Sequence, residues 1–293
     1  MSTLRDNIAV VTGASRGGGR GIAVELGAMG ATVYVTGRST RDAPATTYGA
    51  YLDQLGLANM PGSIDDTADA VTAAGGKGIA VKCDHTDPDQ VRALFARVDR
   101  DHGRIDVLVN NAWGYHETFT MAGLDAPFWE QSIEQWPSMF DRGVRNHLVS
   151  CQAAAPMFVR QKAGLIVTTT FWDRDRYIKG NLMYDIAKHA MIRLAYGVAE
   201  ELKPHGVTSL AVAPGWMRTE LILAAFKSDD AHWQAVPPLA KTESPRYIGR
   251  AVAALAADPN VHAKTGKVLL VGDLAKEYGF TDIDGRVIPP FEM

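Results

Sequence analysis

The chain has 293 residues, 46% of which are hydrophobic, and a formal net charge of −3 at pH 7. This apolar fraction is large enough for a substantial core, which argues against wholesale disorder. The small negative charge gives no electrostatic reason to expect nucleic acid or an anionic membrane as a partner.

The chain has two cysteines, Cys83 and Cys151, which are too few for a disulfide framework or a cysteine-rich metal site. They favour a reducing compartment. The polar N-terminal residues do not resemble a signal peptide, and no apolar run has the length that spans a bilayer. We therefore expect a cytoplasmic protein with neither a metal site nor a membrane span.

Short apolar runs rich in β-branched residues alternate with Ala-rich or amphipathic segments. The runs predict strands at Ile8–Thr12, Thr32–Thr36, Gly78–Cys83, Ile105–Asn110, Leu165–Thr170, Val207–Ala213 and Val268–Val271. The segments between them predict helices at Gly19–Met29, Ile64–Ala74, Pro88–His102, Gln135–Gln161, Leu182–Pro204 and Ser244–Ala256. Strands that are apolar on both faces belong to a parallel sheet covered by helices. The pattern predicts a Rossmann-type doubly wound α/β fold with about seven parallel strands and helices on both faces.

No break in composition divides the chain, so we expect a single domain over residues 1–293, with a C-terminal tail from about residue 273. Three segments fall outside the alternation, namely Ser39–Gly62, Trp216–Pro238 and Asp273–Met293. Long segments of this kind in compact domains are often functional.

The first predicted strand ends in a glycine-rich turn that leads into a helix. Glycines at such a turn let backbone N–H groups approach a pyrophosphate, and the helix N-terminus favours the negative charge. We therefore predict nucleotide binding here rather than a plain tight turn. The predicted contacts are Gly13, Ser15, Arg16, Gly17 and Gly19.

The end of the second strand indicates which nicotinamide nucleotide is bound. A site specific for NAD carries an acid there to bind the ribose diol, whereas this chain has Thr36-Gly37-Arg38. Arg16 and Arg38 are placed to converge on a 2′-phosphate through charge-assisted hydrogen bonds. The alternative is that both are solvated surface arginines. We predict NADP(H).

Tyr184 and Lys188 form a Tyr-x-x-x-Lys pattern on a predicted helix. Residues four apart share one face of a helix, so the ammonium lies beside the phenol. The neighbouring cation lowers the phenol pKa from its reference value of about 10, which allows proton exchange with an alcohol or alkoxide. We predict that this pair carries the chemistry.

The glycine spacing from Thr12 and the Tyr-x-x-x-Lys pattern together resemble the short-chain dehydrogenase/reductase family, roughly from Asn7 to Val271. The resemblance implies that Lys188 also binds the nicotinamide ribose beside Tyr184. The further cofactor contacts that it implies are Asp84 and His85 near the adenine, Asn111 and Ala112 in an Asn-Asn-Ala motif, and Pro214, Gly215 and Thr219 near the nicotinamide.

Two tail segments, Asp273–Gly279 and Asp282–Arg286, and the second-strand region Gly30–Arg38 resemble a narrower subgroup. It comprises the animal dehydrogenase/reductase member 1 and its bacterial counterparts. That likeness implies NADPH-dependent reduction of assorted carbonyl compounds, including steroids.

The chain departs from the family pattern at two positions. The family's carbonyl-polarising serine aligns with Phe171, which has no hydrogen to donate. The neighbouring Thr170 is our candidate for that role, and a backbone-bonded strand-end threonine is the alternative. The family's helix-four asparagine aligns with Gly143, and Asn146 one turn later either replaces it or fills a different family position.

We expect a small-molecule carbonyl or alcohol substrate that is apolar or cyclic, because several aromatic residues follow the carboxyl ends of predicted strands. These are Trp113, Tyr115, Phe171, Trp172 and Trp216. The departures at Phe171 and Gly143 leave a second hypothesis open, an NADP-binding sensor or scaffold with weak or no catalysis. The family resemblance also implies a homodimer or homotetramer packed through the helices that carry Cys151 and Tyr184.

Overall fold

The computed structural model describes residues 3–43, 60–114, 126–178 and 180–292, together with Leu52 and Leu55. The strands in this part of the chain are β1 (Ile8–Thr12), β2 (Thr32–Gly37), β3 (Lys77–Lys82), β4 (Val107–Asn110), β5 (Leu165–Thr169), β6 (Thr208–Ala213) and β7 (Val268–Leu270). They form one parallel sheet in the order β3-β2-β1-β4-β5-β6-β7. The predicted Rossmann-type fold is therefore confirmed.

Helices flank the sheet. They are α1 (Gly17–Ala28), α2 (Ile64–Ala73), α3 (Pro88–His102), α4 (Trp136–Met139), α5 (Asn146–Gln161), α6 (Leu182–Leu202), α7 (Glu220–Ala225), α8 (Pro245–Ala257) and α9 (Val271–Tyr278). Their ends follow from local sequence. In α3, for example, Asp87 caps the first amides, Pro88 occupies the first turn, and Gly103 ends the helix with a left-handed φ of +66°.

Alternate residues of each strand face opposite layers of helices. Val11 of β1 belongs to the core layer that also contains Ile22 of α1 and residues of α8 and α9. Its neighbour Val10 faces the other layer, where Phe95 of α3 and Phe158 of α5 are buried. Both faces of the sheet are thus covered, which explains why the strand sequences lack polar alternation.

The helix predicted over Gln135–Gln161 is present from Trp136, but it is not α-helical throughout. The segment begins as α4, becomes π-helical over Phe140–Arg145 and then continues as α5. A π-helical turn accommodates an extra residue and is common at functional sites.

Smaller differences concern the ends of elements. The chain leaves β5 after Thr169, so Thr170 lies in the following loop. Val271, predicted to end the last strand, instead begins α9, so the tail that we placed from about residue 273 begins inside a helix. The first helix begins at Gly17, two residues earlier than predicted, within the glycine-rich turn itself.

Among the described residues, none of the His, Cys, Asp and Glu side chains are grouped in threes or more around a possible metal ion. No helix in the described ranges has the length and apolar character needed to cross a membrane.

Candidate functional site

Residues from distant parts of the chain meet in a cavity of about 650 Å3 at the carboxyl ends of the strands. The direction of strand addition reverses between β1 and β4, and ligands of open α/β sheets bind beside such a point. The predicted site residues that line the cavity are Gly13, Ser15, Arg16, Gly17, Arg38, Asp84, His85, Asn111, Ala112, Thr170, Tyr184, Lys188, Pro214, Gly215 and Thr219. Gly19 is not among the lining residues and instead packs against Gly13 of the same turn.

The glycine-rich turn leaves no room for a side chain at two of its positions. Gly13 has a left-handed φ of +64°, and a Cβ there would lie 2.7 Å from Cα of Ala112. A Cβ on Gly19 would lie 2.5 Å from Nδ2 of Asn111 and closer still to the carbonyl oxygen of Gly13. Gly18 is less constrained, because its nearest neighbour would be 3.4 Å away. The two glycines therefore let the turn pack closely against Ala112 and Asn111, and a side chain at either position would distort it.

A carboxylate lies at the N-terminus of α1. The amide of Gly17, the first residue of the helix, donates to Oε2 of Glu220 at 2.9 Å. Oε1 of the same carboxylate lies 4.0 Å from Nη1 of Arg20. Helix N-termini attract anions, so Glu220 stands in for the kind of oxygen that a phosphate would present to this amide. The Gly17 amide is thus a donor suited to an anionic oxygen, and in this structure that oxygen comes from Glu220.

Asn111 ties the end of β4 to the same turn. Its side-chain amide donates to the carbonyl oxygens of Thr12 at 3.0 Å and Gly13 at 3.1 Å. The backbone amides of Asn111 and Ala112 donate in turn to the Thr12 hydroxyl at 2.9 and 3.0 Å. These bonds fix the shape of the glycine-rich turn, so the Asn111 side chain stabilises the turn itself.

Arg16 and Arg38 border the cavity together with Ser39, the second residue after β2. The Arg16 guanidinium donates to the Ser39 hydroxyl at 3.0 Å and to the carbonyl oxygens of Pro61 and Gly62 at 2.9 Å each. These bonds hold its charge beside the end of β2. Two guanidinium groups and a hydroxyl form a donor set suited to a phosphate.

Asp84 and His85 follow β3 at the cavity wall. Oδ1 of Asp84 accepts hydrogen bonds from the amide and hydroxyl of Thr86, at 2.9 and 2.7 Å. Nε2 of His85 lies 2.9 Å from Oγ1 of Thr36. Burial lowers the pKa of His85 to about 4, so this imidazole is neutral near pH 7 and shapes the wall without adding charge.

Tyr184 and Lys188 lie one turn apart near the beginning of α6, and both line the cavity. Asn181 caps this helix by accepting a hydrogen bond from the Tyr184 amide at 3.3 Å, which fixes where the phenol is presented. Nζ of Lys188 lies 5.4 Å from the centre of the Tyr184 ring. The two residues therefore share one face of α6, as their spacing predicts.

Trp113 packs against both members of this pair. Its indole meets the Tyr184 ring edge-on, with the ring centres 5.9 Å apart. Nζ of Lys188 lies 3.6 Å from the centre of the Trp113 ring. Lys188 is only 8% exposed, and burial lowers its pKa to about 7. The indole face replaces part of the water that would otherwise surround the ammonium.

Two buried acceptor atoms on α5 have no hydrogen-bond partner among the described residues. His147 directs Nε2 at the Ala112 carbonyl, 3.0 Å away, so Nε2 carries the proton and Nδ1 is left as an unpaired acceptor. Asn146 donates through Nδ2 to the Arg142 carbonyl at 2.8 Å, and its Oδ1 is unpaired. Asn146 also lines the cavity. Buried unpaired acceptors of this kind await a donor from water or ligand.

Thr170, our candidate for polarising a carbonyl, is 4% exposed. Its hydroxyl donates to the backbone carbonyl of Lys188 at 2.9 Å, with a longer contact of 3.4 Å to the carbonyl of Phe171. A hydroxyl has one proton, so this bond competes with donation to a substrate. The observed bond instead anchors α6 to the loop after β5, and the polarising role stays a prediction that this geometry disfavours.

The turn after β6 places Pro214 and Gly215 on the cavity wall, and Thr219 caps α7 by accepting from the Ile222 amide at 3.4 Å. The Gly215 amide donates to Oε2 of Glu243 at 3.0 Å. Glu243 is 2% exposed, and burial raises its pKa to about 8. Its other carboxylate oxygen has no partner among the described residues.

Sequence reasoning missed three residues here, Glu220, Glu243 and Phe291. The first two lie outside any motif, and their contacts with Gly17 and Gly215 cross large sequence separations. Phe291 comes from the C-terminal tail, which was predicted only as a segment of unassigned role.

The predicted aromatic wall is only partly present. Of the predicted residues, Trp113, Phe171 and Trp216 line the cavity, together with Phe291, and the centres of the Phe171 and Phe291 rings are 5.8 Å apart. Trp172 instead turns to the surface, where Nε1 donates to Asp175 at 2.9 Å. Tyr115 lies outside the described residues.

Comparison with known proteins places this site in context. Residues 53–273 match a family model described as enoyl-(acyl carrier protein) reductase. The chain is 35% identical to mouse dehydrogenase/reductase SDR family member 1 over 99% of this chain and 88% of the relative. It is 28% identical to 3-oxoacyl-[acyl-carrier-protein] reductase of Synechocystis, over 92% of this chain and 97% of the relative. A crystal structure of a short chain dehydrogenase from Mycobacterium thermoresistibile superposes with a TM-score of 0.77 at 25% identity, covering 99% of this chain and 94% of that one.

Proposed function

Because the chain belongs to the short-chain dehydrogenase/reductase family of oxidoreductases, we propose that it transfers hydride between NADP(H) and the carbonyl or alcohol carbon of a small molecule. The observation that carries this proposal is the Tyr184–Lys188 pair, whose ring centre and Nζ lie 5.4 Å apart in the cavity that also contains the glycine-rich turn. The cavity thus contains both the glycine-rich turn that would bind a nucleotide and a side chain that can donate a proton.

The donor sets around the cavity support NADP(H) as the cofactor. The amide of Gly17 and the neighbouring turn would hold the pyrophosphate, and Arg16 and Arg38 with Ser39 would hold the 2′-phosphate. We place Asp84 and His85 near the adenine, Asn111 and Ala112 behind the turn, Lys188 at the nicotinamide ribose, and Pro214, Gly215 and Thr219 near the nicotinamide. When bound, NADPH supplies the hydride.

Tyr184 would supply the proton. As the carbonyl carbon accepts hydride, its oxygen becomes an alkoxide, and the Tyr184 hydroxyl protonates it to complete the alcohol. An ordinary phenol has a pKa of about 10, which is too high for efficient exchange near neutrality. The positive charge of Lys188 favours the phenolate and lowers that pKa. In the oxidative direction, the phenolate removes the hydroxyl proton of the alcohol.

The cavity wall supports an apolar or cyclic substrate. Phe171 lies with its ring centre 6.3 Å from that of Tyr184 and 5.8 Å from that of Phe291. Trp216 lines the same cavity. Aromatic walls bury flat apolar ligands, with the polar group of the ligand directed at the few polar residues present.

A sensor or scaffold that binds NADP without turnover is the alternative that the sequence left open. Its basis was the loss of two family side chains, at Phe171 and Gly143. Membership of an oxidoreductase family and the Tyr184–Lys188 geometry favour the enzyme, because a protein that only binds the nucleotide has no need of a proton donor facing the cavity.

The proposal is tested by following NADPH oxidation with a panel of quinones, diketones, aldehydes and ketosteroids. We expect turnover with at least one class, and we expect Tyr184→Phe to lower kcat by at least about a hundredfold, the scale of general acid catalysis. NADPH affinity of that variant should stay within about twofold, because the change removes a proton and no cofactor contact. Binding of NADPH without turnover of any compound would favour the sensor, and full activity of Tyr184→Phe would defeat the mechanism.

We also infer that the protein is a homodimer or homotetramer. Leu148 on α5 and Ile186 and Tyr196 on α6 are about 40% exposed, which leaves apolar surface on the two helices predicted to pack between subunits. Light scattering coupled to size-exclusion chromatography would measure the mass, and a monomer at micromolar concentration would contradict this inference.

A further inference from the structure

The most unusual contact in the cavity is between Trp113 and Lys188. Trp113 follows the Asn110-Asn111-Ala112 segment at the end of β4, and its ring centre lies 3.6 Å from Nζ of Lys188. The same ring meets Tyr184 edge-on at 5.9 Å. One aromatic side chain therefore contacts both members of the proposed catalytic pair.

The space that Trp113 occupies exists because residue 143 is glycine. A Cβ on Gly143 would lie 2.6 Å from Cε3 of Trp113, and closer still to the adjacent Cζ3. The next nearest atom would be Cε of Met191, at 3.1 Å. Gly143 lies in the π-helical segment Phe140–Arg145, so a local widening of the helix and the absence of a side chain coincide under the indole.

We propose that Trp113 is a positioning residue that holds the ammonium of Lys188 beside Tyr184, and that Gly143 is the residue that makes room for it. The inference rests on the proposed function, since it assigns Trp113 a role in the Tyr184–Lys188 pair. It adds a third side chain to that pair, and one that acts through Lys188 rather than on the substrate.

The surroundings of Lys188 explain why an aromatic face is needed. The side chain is 8% exposed, so its ammonium has lost most of its water. Sδ of Met191, a weak acceptor, lies 4.0 Å from Nζ. A desolvated ammonium over an indole face is stabilised by the ring quadrupole, and Trp is the strongest of the aromatic partners.

The test compares Trp113→Leu, which removes the aromatic face and keeps an apolar side chain, with Trp113→Phe, which keeps a smaller face. We expect Trp113→Leu to lower kcat for carbonyl reduction by about threefold to thirtyfold, the range that a desolvated cation–π contact supports. Trp113→Phe should recover most of the wild-type rate. Equal losses in the two variants, or no loss in Trp113→Leu, would overturn the proposal.

A second readout does not depend on turnover. The ionisation of Tyr184 is obtained from ultraviolet titration of the wild type after subtraction of the Tyr184→Phe titration. Burial lowers the pKa of Lys188 to about 7, and the indole face favours its charged form. Trp113→Leu should therefore lower the Lys188 pKa further and raise the Tyr184 midpoint by about half a pH unit to one and a half units, because the ammonium that favours the phenolate is lost. His147, on the neighbouring α5, stays neutral in this range, since burial lowers its pKa to about 3. An unchanged midpoint would contradict the proposal.

The role of Gly143 is tested by coupling. Gly143→Ala should displace the indole and reproduce the effect of Trp113→Leu on both readouts. In the Trp113→Leu background the same change should add less than about twofold, because the displaced ring is already absent. Additive effects would show that Gly143 acts independently of Trp113 and would overturn this part.

These outcomes separate the inference from the function beneath it. A wild-type protein that binds NADPH and reduces no carbonyl defeats the proposed function, while the Tyr184 midpoint still reports whether Trp113 holds Lys188. If the wild type is an active enzyme and Trp113→Leu changes neither the Tyr184 midpoint nor kcat, the proposed function stands and the positioning role of Trp113 is wrong.

Discussion

The glycine-rich turn and the region around Tyr184 occupy the same cavity, yet they are built in different ways. Around the turn, the decisive contacts involve backbone atoms: Gly13 and Gly19 allow close approach, and Asn111 bonds to main-chain carbonyl oxygens. Around Tyr184, the decisive contacts join side chains, above all Trp113 and Lys188. In the first region Gly13 and Gly19 leave no room for a side chain, whereas in the second the large Trp113 fits because its neighbour Gly143 has none.

The largest expected effect on nucleotide affinity is in the turn. Gly19→Ala places a Cβ 2.5 Å from Nδ2 of Asn111 and closer still to the backbone oxygen of Gly13, which cannot move without deforming the cradle. We expect NADPH affinity to fall by roughly a hundredfold, equivalent to about 3 kcal/mol at the upper end of overpacking costs. Fluorescence titration with NADPH measures the loss.

Gly18→Ala is the matched control, because its Cβ would meet nothing nearer than 3.4 Å. We expect its NADPH affinity to stay within about threefold of the wild type. Similar losses in the two variants would mean that general packing of α1, rather than the close approach at Gly19, determines binding, and the contrast between the two regions would fail.

The second prediction concerns the choice of nucleotide. Arg38→Asp removes a cation from the predicted 2′-phosphate site and introduces an acid able to bind a ribose diol. The ratio of NADPH to NADH affinity should fall by about thirtyfold, since a hydrogen bond to a charged group contributes about 2 kcal/mol. Arg92→Asp, an equal change of charge on exposed α3, is the control and should leave the ratio unaltered. Equal affinities of the wild type for NADPH and NADH would refute the cofactor assignment.

The contrast between the two regions also explains what the sequence could predict. The order of strands and helices and the glycine-rich turn follow from local patterns, because a buried strand or a close backbone approach restricts residue type at each position. The i, i+4 spacing likewise places Tyr184 and Lys188 on one face of α6. The sequence singles out Trp113 and Gly143 separately, but it does not predict their contact, because no local pattern links residues 30 positions apart. The π-helical break at Phe140–Arg145 was missed because the helical periodicity continues through it.

Glu243, which accepts a hydrogen bond from the Gly215 amide on the cavity wall, offers a test based on protein stability. Burial raises its pKa from 4.5 to about 8. Between pH 4.5 and pH 8, the native state therefore keeps a proton on Glu243 that the unfolded chain has already released. The native state is therefore progressively destabilised as pH rises from about 4.5 to about 8. Glu243→Gln carries no such proton. Its free energy of unfolding should equal that of the wild type near pH 4.5 and exceed it by about 4 kcal/mol at pH 8.

Urea denaturation at several pH values measures this difference. A constant gap between Glu243→Gln and the wild type from pH 4.5 to pH 8 would indicate lost packing or hydrogen bonding rather than titration of the buried carboxyl. The Gly215 amide should keep its bond in the variant, because the glutamine carbonyl oxygen accepts in place of the carboxylate.

The smallest expected effect is at Thr170. Its substitution should have different results depending on whether its hydroxyl polarises the substrate carbonyl or makes a structural hydrogen bond. If the family's arrangement held here, Thr170→Val would remove a donor from the developing oxyanion and cost about a hundredfold or more in rate. In the structure the Thr170 hydroxyl instead donates to the Lys188 carbonyl oxygen at 2.9 Å, and Thr170 is only 4% exposed. We therefore expect Thr170→Val to lower the free energy of unfolding by about 1 kcal/mol, the net contribution of one hydrogen bond, and to lower kcat by less than about tenfold. Thr170→Ser keeps the donor and should restore both values. A hundredfold loss of kcat in a Thr170→Val protein of undiminished stability would show that the hydroxyl leaves the Lys188 carbonyl when substrate binds.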